Sequence, residues 1–224
     1  HAPYGGKSKE EIIERCNIIV QFLIDKGCKI IIVACNTATT NAIETLRATY
    51  SIPFIGIEPA IKPAALKSKT KVVGVLATQG TLSSTLFAKT SAAFTQDVLV
   101  VEQIGSGLVE AIETGLLDDP KLTKLVRSYI NPMLEQEMDT LVLGCTHYPL
   151  LLPLLKKVLP SNIQIIDSAE AVAKETHRIL EENQLICQTK EIGHIQYFSS
   201  AKNSTLLRFI PKEIEVLSLT SNLF

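Results

Sequence analysis

The sequence predicts an α/β protein built on parallel sheets that helices cover on both faces. Short apolar runs rich in β-branched residues alternate along the chain with segments of helical period, and this alternation is typical of parallel sheets. One phrase also occurs twice, at residues 29–37 (KIIIVACNT) and 139–147 (DTLVLGCTH). Each copy is an apolar run followed by a small residue, a cysteine and two polar residues. The repeat predicts two similar halves that face each other.

The first elements follow from capping and periodicity. Ser8 and Glu11 form a capping box, and apolar residues then recur at helical spacing until Gly27. Pro59 and Pro63 predict a crossing between domains. The elements predicted before this crossing are a helix at 8–25, a strand at 29–33, a helix at 39–50 and a strand at 53–57.

The remaining chain continues the alternation. A strand at 71–76 ends in the polar turn 77–81 (ATQGT), which is suited to binding a carboxylate through hydroxyls and backbone N–H groups. Pro132 predicts an interruption or a kink in a helix at 121–137. The other predicted helices span 83–94, 107–115, 150–159 and 169–183, with a short helical segment at 206–209, and the other strands span 98–101, 139–144, 163–167, 194–199 and 213–219.

The composition excludes several classes of protein. The 224 residues are 46% apolar and carry a net charge of −1, so no basic excess indicates a nucleic-acid partner. No apolar run approaches the ~18 residues of a membrane span, so we expect no contact with a membrane. The five cysteines are irregularly spaced and match neither a disulfide framework nor a zinc motif, which predicts a reduced, cytoplasmic protein without a metal site. Because the chain opens on His1 rather than Met, we expect that an N-terminal segment is missing.

Cys35 and Cys145 each lie where a predicted strand gives way to a loop, the edge at which open α/β sheets bind ligands. Thiols have a reference pKa of ~8.5, which helix N-termini or a nearby imidazole lower. A thiolate and a thiol on opposite sides of one carbon could remove a proton from one face and return a proton to the other. That is stereoinversion by general acid–base catalysis without a cofactor. The alternative is that both cysteines are buried small hydrophobic residues, and their repeated setting favours chemistry.

The chain contains APYG at 2–5, ACNTA at 34–38, GIEPA at 56–60 and GCTHYP at 144–149. In this order the segments resemble those of glutamate racemases, members of the aspartate/glutamate racemase family, and the resemblance covers essentially the whole chain. It implies two similar doubly wound parallel-sheet domains related by pseudo-symmetry, with the active site between them. Residues 1–61 and 174–224 would form a discontinuous first domain and residues 62–173 the second. The family's first strand, which ends in an acidic residue near one cysteine, has no equivalent in this sequence.

The resemblance also implies an activity. The protein would interconvert L- and D-glutamate without a cofactor or a metal, supply D-glutamate for bacterial peptidoglycan, and act as a homodimer. Cys35 and Cys145 would be the two bases, and His147 and Glu113 would support Cys145. Glu110 competes with Glu113 for this role, and from the residues alone both also fit a solvated helix face. The residues expected to bind the substrate are Tyr4, Gly5, Asn36, Thr37, Thr78, Thr146 and His147.

Three other functions stay open on the sequence. An aspartate racemase of the same fold is difficult to distinguish from one that acts on glutamate. A non-enzymatic amino-acid-binding protein would not need both thiols. A cysteine hydrolase needs one nucleophile and one base, which gives no reason for the second cysteine.

Overall fold

The computed structural model describes residues 1–94, 97–189, 193–200, 208, 210 and 216–218. Within this part of the chain every strand pairing is parallel, in one sheet of four strands and two sheets of two strands. The predicted α/β class with parallel sheets is therefore confirmed. The proposed domain boundaries near residues 61 and 173 stay a prediction.

The first unit is a two-stranded sheet with two helices packed on it. Its elements are α1 (Lys9–Asp25), β1 (Ile31–Val33), α2 (Asn36–Thr49) and β2 (Phe54–Gly56). α1 begins where the capping box predicts, because the Ser8 hydroxyl accepts a hydrogen bond from the Glu11 N–H at 3.2 Å. Ile12 of α1 and Leu46 of α2 belong to one buried aliphatic cluster, so the two helices share a core.

The second unit is a four-stranded parallel sheet in the order β4-β3-β5-β6. Its strands are β3 (Val72–Ala77), β4 (Leu99–Ile104), β5 (Thr140–Gly144) and β6 (Gln164–Ile166). The helices around it are α3 (Ile61–Lys67), α4 (Gln79–Leu82), α5 (Thr85–Phe94), α6 (Leu108–Thr114), α7 (Pro120–Glu135) and α8 (Leu152–Val158). β5 is buried along its whole length. Aliphatic clusters lie on both faces of this sheet, and its central strands are apolar apart from the buried Thr140.

The C-terminal part of the described chain returns to the first unit. α9 (Ala169–Glu182) packs against β2, and β7 (Tyr197–Ser199) pairs with β8 (Val216–Ser218). The ring of Phe198 in β7 meets the ring of Phe22 in α1 edge to face, with their centroids 5.1 Å apart. These contacts support the expectation that the two ends of the chain belong to one domain.

Three helices differ from their predicted bounds. α2 begins at Asn36 rather than at residue 39, because the Cys35 side chain itself caps the helix. α7 runs through Pro132 without interruption. Pro132 and Ser128, whose carbonyl would have received the missing N–H, are both exposed, so water can satisfy the freed carbonyl.

The third difference lies before the helix predicted at 83–94. A short helix, α4, occupies most of the predicted turn 77–81, and α5 begins at Thr85 rather than at residue 83. The buried Ser84 hydroxyl accepts a hydrogen bond from the Phe87 N–H at 3.2 Å, and this bond caps α5. All but residue 208 of the helical segment predicted at 206–209, and most of the strand predicted at 213–219, lie outside the described residues.

Candidate active site

Both repeated cysteines lie just beyond the carboxyl ends of strands. Cys35 follows β1 after one residue and is the N-cap of α2, with extended backbone angles of φ −116° and ψ 121°. Cys145 directly follows β5, and its carbonyl accepts a hydrogen bond from the Tyr148 N–H at 3.0 Å, at the start of a short 3-10 helix (Tyr148–Leu151). The two copies of the phrase therefore place the two thiols at equivalent points of the two units.

The thiol of Cys35 lies at the N-terminus of α2. Its sulfur accepts a hydrogen bond from the Ala38 N–H at 3.5 Å. Burial raises the pKa of this thiol, whereas hydrogen bonds from Ala38 and from the backbone and side chain of Thr37 lower it, and burial is the larger effect. The resting form of Cys35 at neutral pH is therefore the thiol.

Cys145 is 8% exposed, and its sulfur packs at the margin of the main aliphatic core. Burial raises the pKa of this thiol to about 12, although hydrogen bonds from the backbone N–H groups of His147 and Tyr148 oppose the increase. A negative charge on Cys35 would raise the pKa of Cys145 further, by less than burial does. Burial therefore favours the protonated form of the second thiol as well.

His147 connects Cys145 to an acidic side chain. His147 Nδ1 lies 4.0 Å from the Cys145 sulfur, and His147 Nε2 lies 2.6 Å from Glu113 Oε1. Glu113 reaches the histidine from α6, 34 positions earlier in the chain. Of the two carboxylates that the sequence left open, Glu113 contacts His147, while Glu110 lies exposed one turn earlier on the same helix.

Three threonine hydroxyls form a cluster where the two units meet. Thr37 Oγ1 of α2 lies 2.7 Å from Thr78 Oγ1 and 3.3 Å from Thr81 Oγ1, and the latter two lie 3.1 Å apart. Thr37 and Thr78 are among the residues expected to bind the substrate. Thr81 belongs to the polar turn 77–81 that the sequence predicts to suit a carboxylate, although it is not among the residues expected to bind the substrate. Its fully buried hydroxyl completes a polar wall between the units.

The N-terminal loop lies against this wall. The Gly5 carbonyl accepts a hydrogen bond from the Gly80 N–H at 3.0 Å, and a Cβ on Gly5 would lie 3.1 Å from Thr78 Cβ. Tyr4 packs against the core of the first unit. Burial raises the pKa of its phenol, and the charges of Cys16 and Cys35 raise it further, so Tyr4 lies near the first thiol. The structure thus brings Tyr4 and Gly5 to the same region as Cys35 and Thr78.

Two of the expected ligand residues have different surroundings. Asn36 is 3% exposed, and its Nδ2 atom has no hydrogen-bond partner. A buried donor without a partner is costly, so Asn36 is poised to donate to a ligand. Thr146 is exposed at the rim beside Cys145.

A cavity of about 190 Å³ opens next to the threonine cluster. It is lined by Pro3, Gly5 and Gly6 of the N-terminal loop, by Thr78 and Gln79, and by residues 104–107, 109 and 110. Neither Cys35 nor Cys145 lines this cavity. Among the described residues, no group of three or more His, Cys, Asp or Glu side chains is arranged to hold a metal ion. In the same part of the chain, no helix is both long and apolar enough to cross a membrane.

Comparison with known proteins identifies the class. The model of the Asp/Glu/Hydantoin racemase family matches residues 2–176. The chain belongs to this family.

Individual relatives agree on one enzyme of this class. A glutamate racemase of Pseudomonas putida strain F1 is 45% identical over 94% of this chain and 80% of its own length. The structure of glutamate racemase isoform RacE1 from Bacillus anthracis superposes with a TM-score of 0.85 at 31% identity, over 99% of this chain and 85% of that one. Escherichia coli glutamate racemase, solved with L-glutamate and the activator UDP-MurNAc-Ala, gives a TM-score of 0.83 at 32% identity, over 97% and 84% of the two chains.

Proposed function

We propose that this protein interconverts L- and D-glutamate and thereby supplies D-glutamate for peptidoglycan. The curated relatives that cover most of this chain are glutamate racemases, which supports the assignment of the substrate. The observation that carries the proposal is the pair of strand-end thiols, one beyond the carboxyl end of a strand in each unit. Cys35 and Cys145 are the two acid–base groups in this account.

The chemistry needs one thiolate and one thiol. The thiolate removes the α-proton of glutamate from one face, and the opposite thiol donates its own proton to the other face of the resulting carbanion. After one turnover the two sulfurs have exchanged protonation states, so the enzyme is then set for the other enantiomer. Because burial raises the pKa of both thiols, one proton must leave before the first turnover. His147, held by Glu113, is the group beside Cys145 that can take it.

The α-proton of an amino acid is a very weak acid, so the site must stabilise negative charge as it develops. Asn36 Nδ2 is a buried donor without a protein partner, and the hydroxyls of Thr37 and Thr78 lie in the wall between the units. We assign these three groups to the α-carboxylate. We assign the remaining expected contacts, which come from the N-terminal loop and from the Cys145 turn, to the rest of the substrate: Tyr4, Gly5, Thr146 and His147.

The test is to incubate the enzyme with L-glutamate in D₂O and stop the reaction at low conversion. With two bases, the D-glutamate formed carries deuterium at Cα, while the remaining L-glutamate stays protonated, because the two protons pass through different thiols. Loss of optical rotation without this pattern contradicts the two-base mechanism. Absence of both rotation change and exchange supports an amino-acid-binding protein instead. Faster racemisation of L-aspartate than of L-glutamate would move the assignment to an aspartate racemase.

We further propose that the enzyme is a homodimer in a reducing, cytoplasmic setting. All five cysteines are free thiols, as such a compartment requires. Light scattering of the purified chain, with and without D-glutamate, measures the oligomeric state. A monomer under both conditions contradicts the dimer.

A further inference from the structure

The backbone of Gly80 is a junction of three elements. Its N–H donates a hydrogen bond to the Gly5 carbonyl of the N-terminal loop at 3.0 Å. Its carbonyl accepts a hydrogen bond from Asn41 Nδ2 of α2 at 3.0 Å. Gly80 itself belongs to α4, two residues after Thr78. The loop, α2 and the turn that carries the threonine hydroxyls are therefore fixed to one another through this single residue.

The junction is packed too tightly for a side chain at residue 80. A Cβ on Gly80 would lie 2.8 Å from Thr37 Cγ2 and 3.0 Å from the Gly5 carbonyl oxygen. The second of these atoms is backbone, so it can yield only by moving the loop. Gly80 is thus held against the threonine wall by close contact as well as by hydrogen bonds.

Asn41 is the side chain that joins the two units at this point. Its Nδ2 atom donates to the Thr37 carbonyl of its own helix at 2.8 Å and to the Gly80 carbonyl across the interface at 3.0 Å. The same nitrogen lies 3.3 Å from the Thr40 hydroxyl. The two nearer partners are carbonyl oxygens, which only accept, so the amide nitrogen must face them. One planar group therefore fixes the spacing between Thr37 and the turn that contains Thr78 and Thr81.

We propose that Asn41 is a positioning residue for glutamate racemisation, acting through Gly80 to hold the Thr78 turn against Thr37 at the substrate. The proposal rests on the function proposed above. Asn41 does not contact the substrate in this account. Asn41 instead sets the positions of the threonine hydroxyls and of the Gly5 loop, which contact the substrate. If these groups are held less firmly, the enzyme binds glutamate and the transition state more weakly to a similar extent.

The experiment compares three variants in racemisation of L- and D-glutamate. Asn41→Ala is expected to lower kcat/KM about fivefold, the factor typical of one net hydrogen bond, mainly by raising KM. Asn41→Asp is expected to be worse, at least about tenfold below wild type, because its carboxylate faces two carbonyl oxygens. The matched control is Asn183→Ala, since Asn183 Nδ2 makes the same bond to a carbonyl four residues back, Ile179 at 2.8 Å, at the end of α9. It is expected to stay within about twofold of wild type.

A double-mutant cycle separates positioning from simple stabilisation. In a Thr78→Val background, which removes the hydroxyl that Asn41 positions, Asn41→Ala should cost less than about twofold further, because coupled residues are not additive. If Asn41→Ala lowers only the melting temperature, or if its effect is undiminished in that background, the positioning role is refuted. An Asn41→Asp variant as active as Asn41→Ala also refutes it. Should Asn41→Ala not fold, Asn41→Gln keeps the amide but displaces it by one methylene, and wild-type kinetics in that variant overturn the proposal.

Wild-type activity distinguishes this inference from the function it rests on. A wild-type enzyme that does not racemise glutamate refutes the proposed function, and the positioning role falls with it. An active wild type with unaltered Asn41 variants refutes the positioning role alone.

Discussion

Replacing Glu113 by Gln tests the pair that flanks Cys145. Glu113 Oε1 lies 2.6 Å from His147 Nε2, and the opposite ring nitrogen lies 4.0 Å from the Cys145 sulfur. Glutamine keeps the size of the side chain and can still accept a hydrogen bond, but it removes the negative charge. The variant therefore asks whether that charge supports proton transfer at Cys145.

The expected loss follows from the exposure of the pair. A hydrogen bond to a charged group contributes about 1.5–3 kcal/mol. The side chains of His147 and Glu113 are 28% and 29% exposed, so solvent screens the pair and the lower end applies. About 1.5 kcal/mol corresponds to roughly a tenfold lower kcat/KM for Glu113→Gln. Circular dichroism of the reaction started from each enantiomer measures it, and because enantiomers have equal free energies, kcat/KM must agree in the two directions.

Glu110→Gln is the matched control. Glu110 lies one turn earlier on α6 and is exposed. This variant removes the same charge from the same helix without altering the pair. Because Glu110 also lines the cavity beside Thr78, any effect should appear in KM, and we expect kcat within about twofold of wild type. Equal losses in both variants would mean that the charge of the helix matters rather than the contact with His147. An unaltered Glu113→Gln variant would remove Glu113 from the mechanism.

Three further predictions concern stability and its dependence on pH. Burial alone would raise the pKa of Asp139, but hydrogen bonds from the 68–70 turn and from Thr140 outweigh burial and lower the pKa to about 2. The Asp139 carboxylate therefore stabilises the fold above pH ~4 and loses that effect as the pH falls towards 2. Acid unfolding of Asp139→Asn should lack this part of the slope, and an identical slope contradicts the prediction. Gly144→Ala would place a Cβ 2.7 Å from Ala77 Cβ, so denaturant melts should show a free energy of unfolding lower by about 1–3 kcal/mol. The resulting shift of the neighbouring Cys145 should also lower kcat/KM. A variant with wild-type stability would contradict this prediction. Burial raises the pKa of Cys145 to about 12 in the folded state, against about 9 in the unfolded state. The contribution of this thiol to stability is therefore complete below pH ~9 and is lost as the pH rises from about 9 to about 12. Cys145→Ser should flatten this alkaline decline in stability, and an unaltered decline contradicts the prediction.

Local signals in the sequence predicted most elements because their causes are local. The capping box at Ser8 and the alternation of strands and helices depend on neighbours within a few residues, and the structure bears them out. The start of α2 was wrong because the cap is a thiol, and cysteine is not among the residues from which a helix start is usually inferred. Pro132 did not break α7, because the helix face that carries it is exposed to water. The sequence alone does not show which face of the helix is exposed.

The candidate site shows the same division. The repeated phrase marked both cysteines, since each copy is contiguous in sequence. The choice between Glu110 and Glu113 needed the fold, which brings His147 to α6 across 34 positions. The polar turn that contains Thr81 was visible in the sequence, but its contact with Thr37 was not, because that contact spans 44 positions. The contact of Asn41 with Gly80 spans 39 positions and leaves no local pattern.

The most direct test of the central claim is the racemisation rate of Cys35→Ser and Cys145→Ser, each measured beside Cys187→Ser. Cys187 is exposed and lies outside the site, so its variant controls for the loss of a thiol as such. Because a positioned acid or base contributes at least roughly 100-fold, each of the first two variants should lose racemisation by that factor or more, while Cys187→Ser keeps the wild-type rate. Wild-type racemisation by either Cys35→Ser or Cys145→Ser would contradict the claim that the two sulfurs flank one substrate carbon.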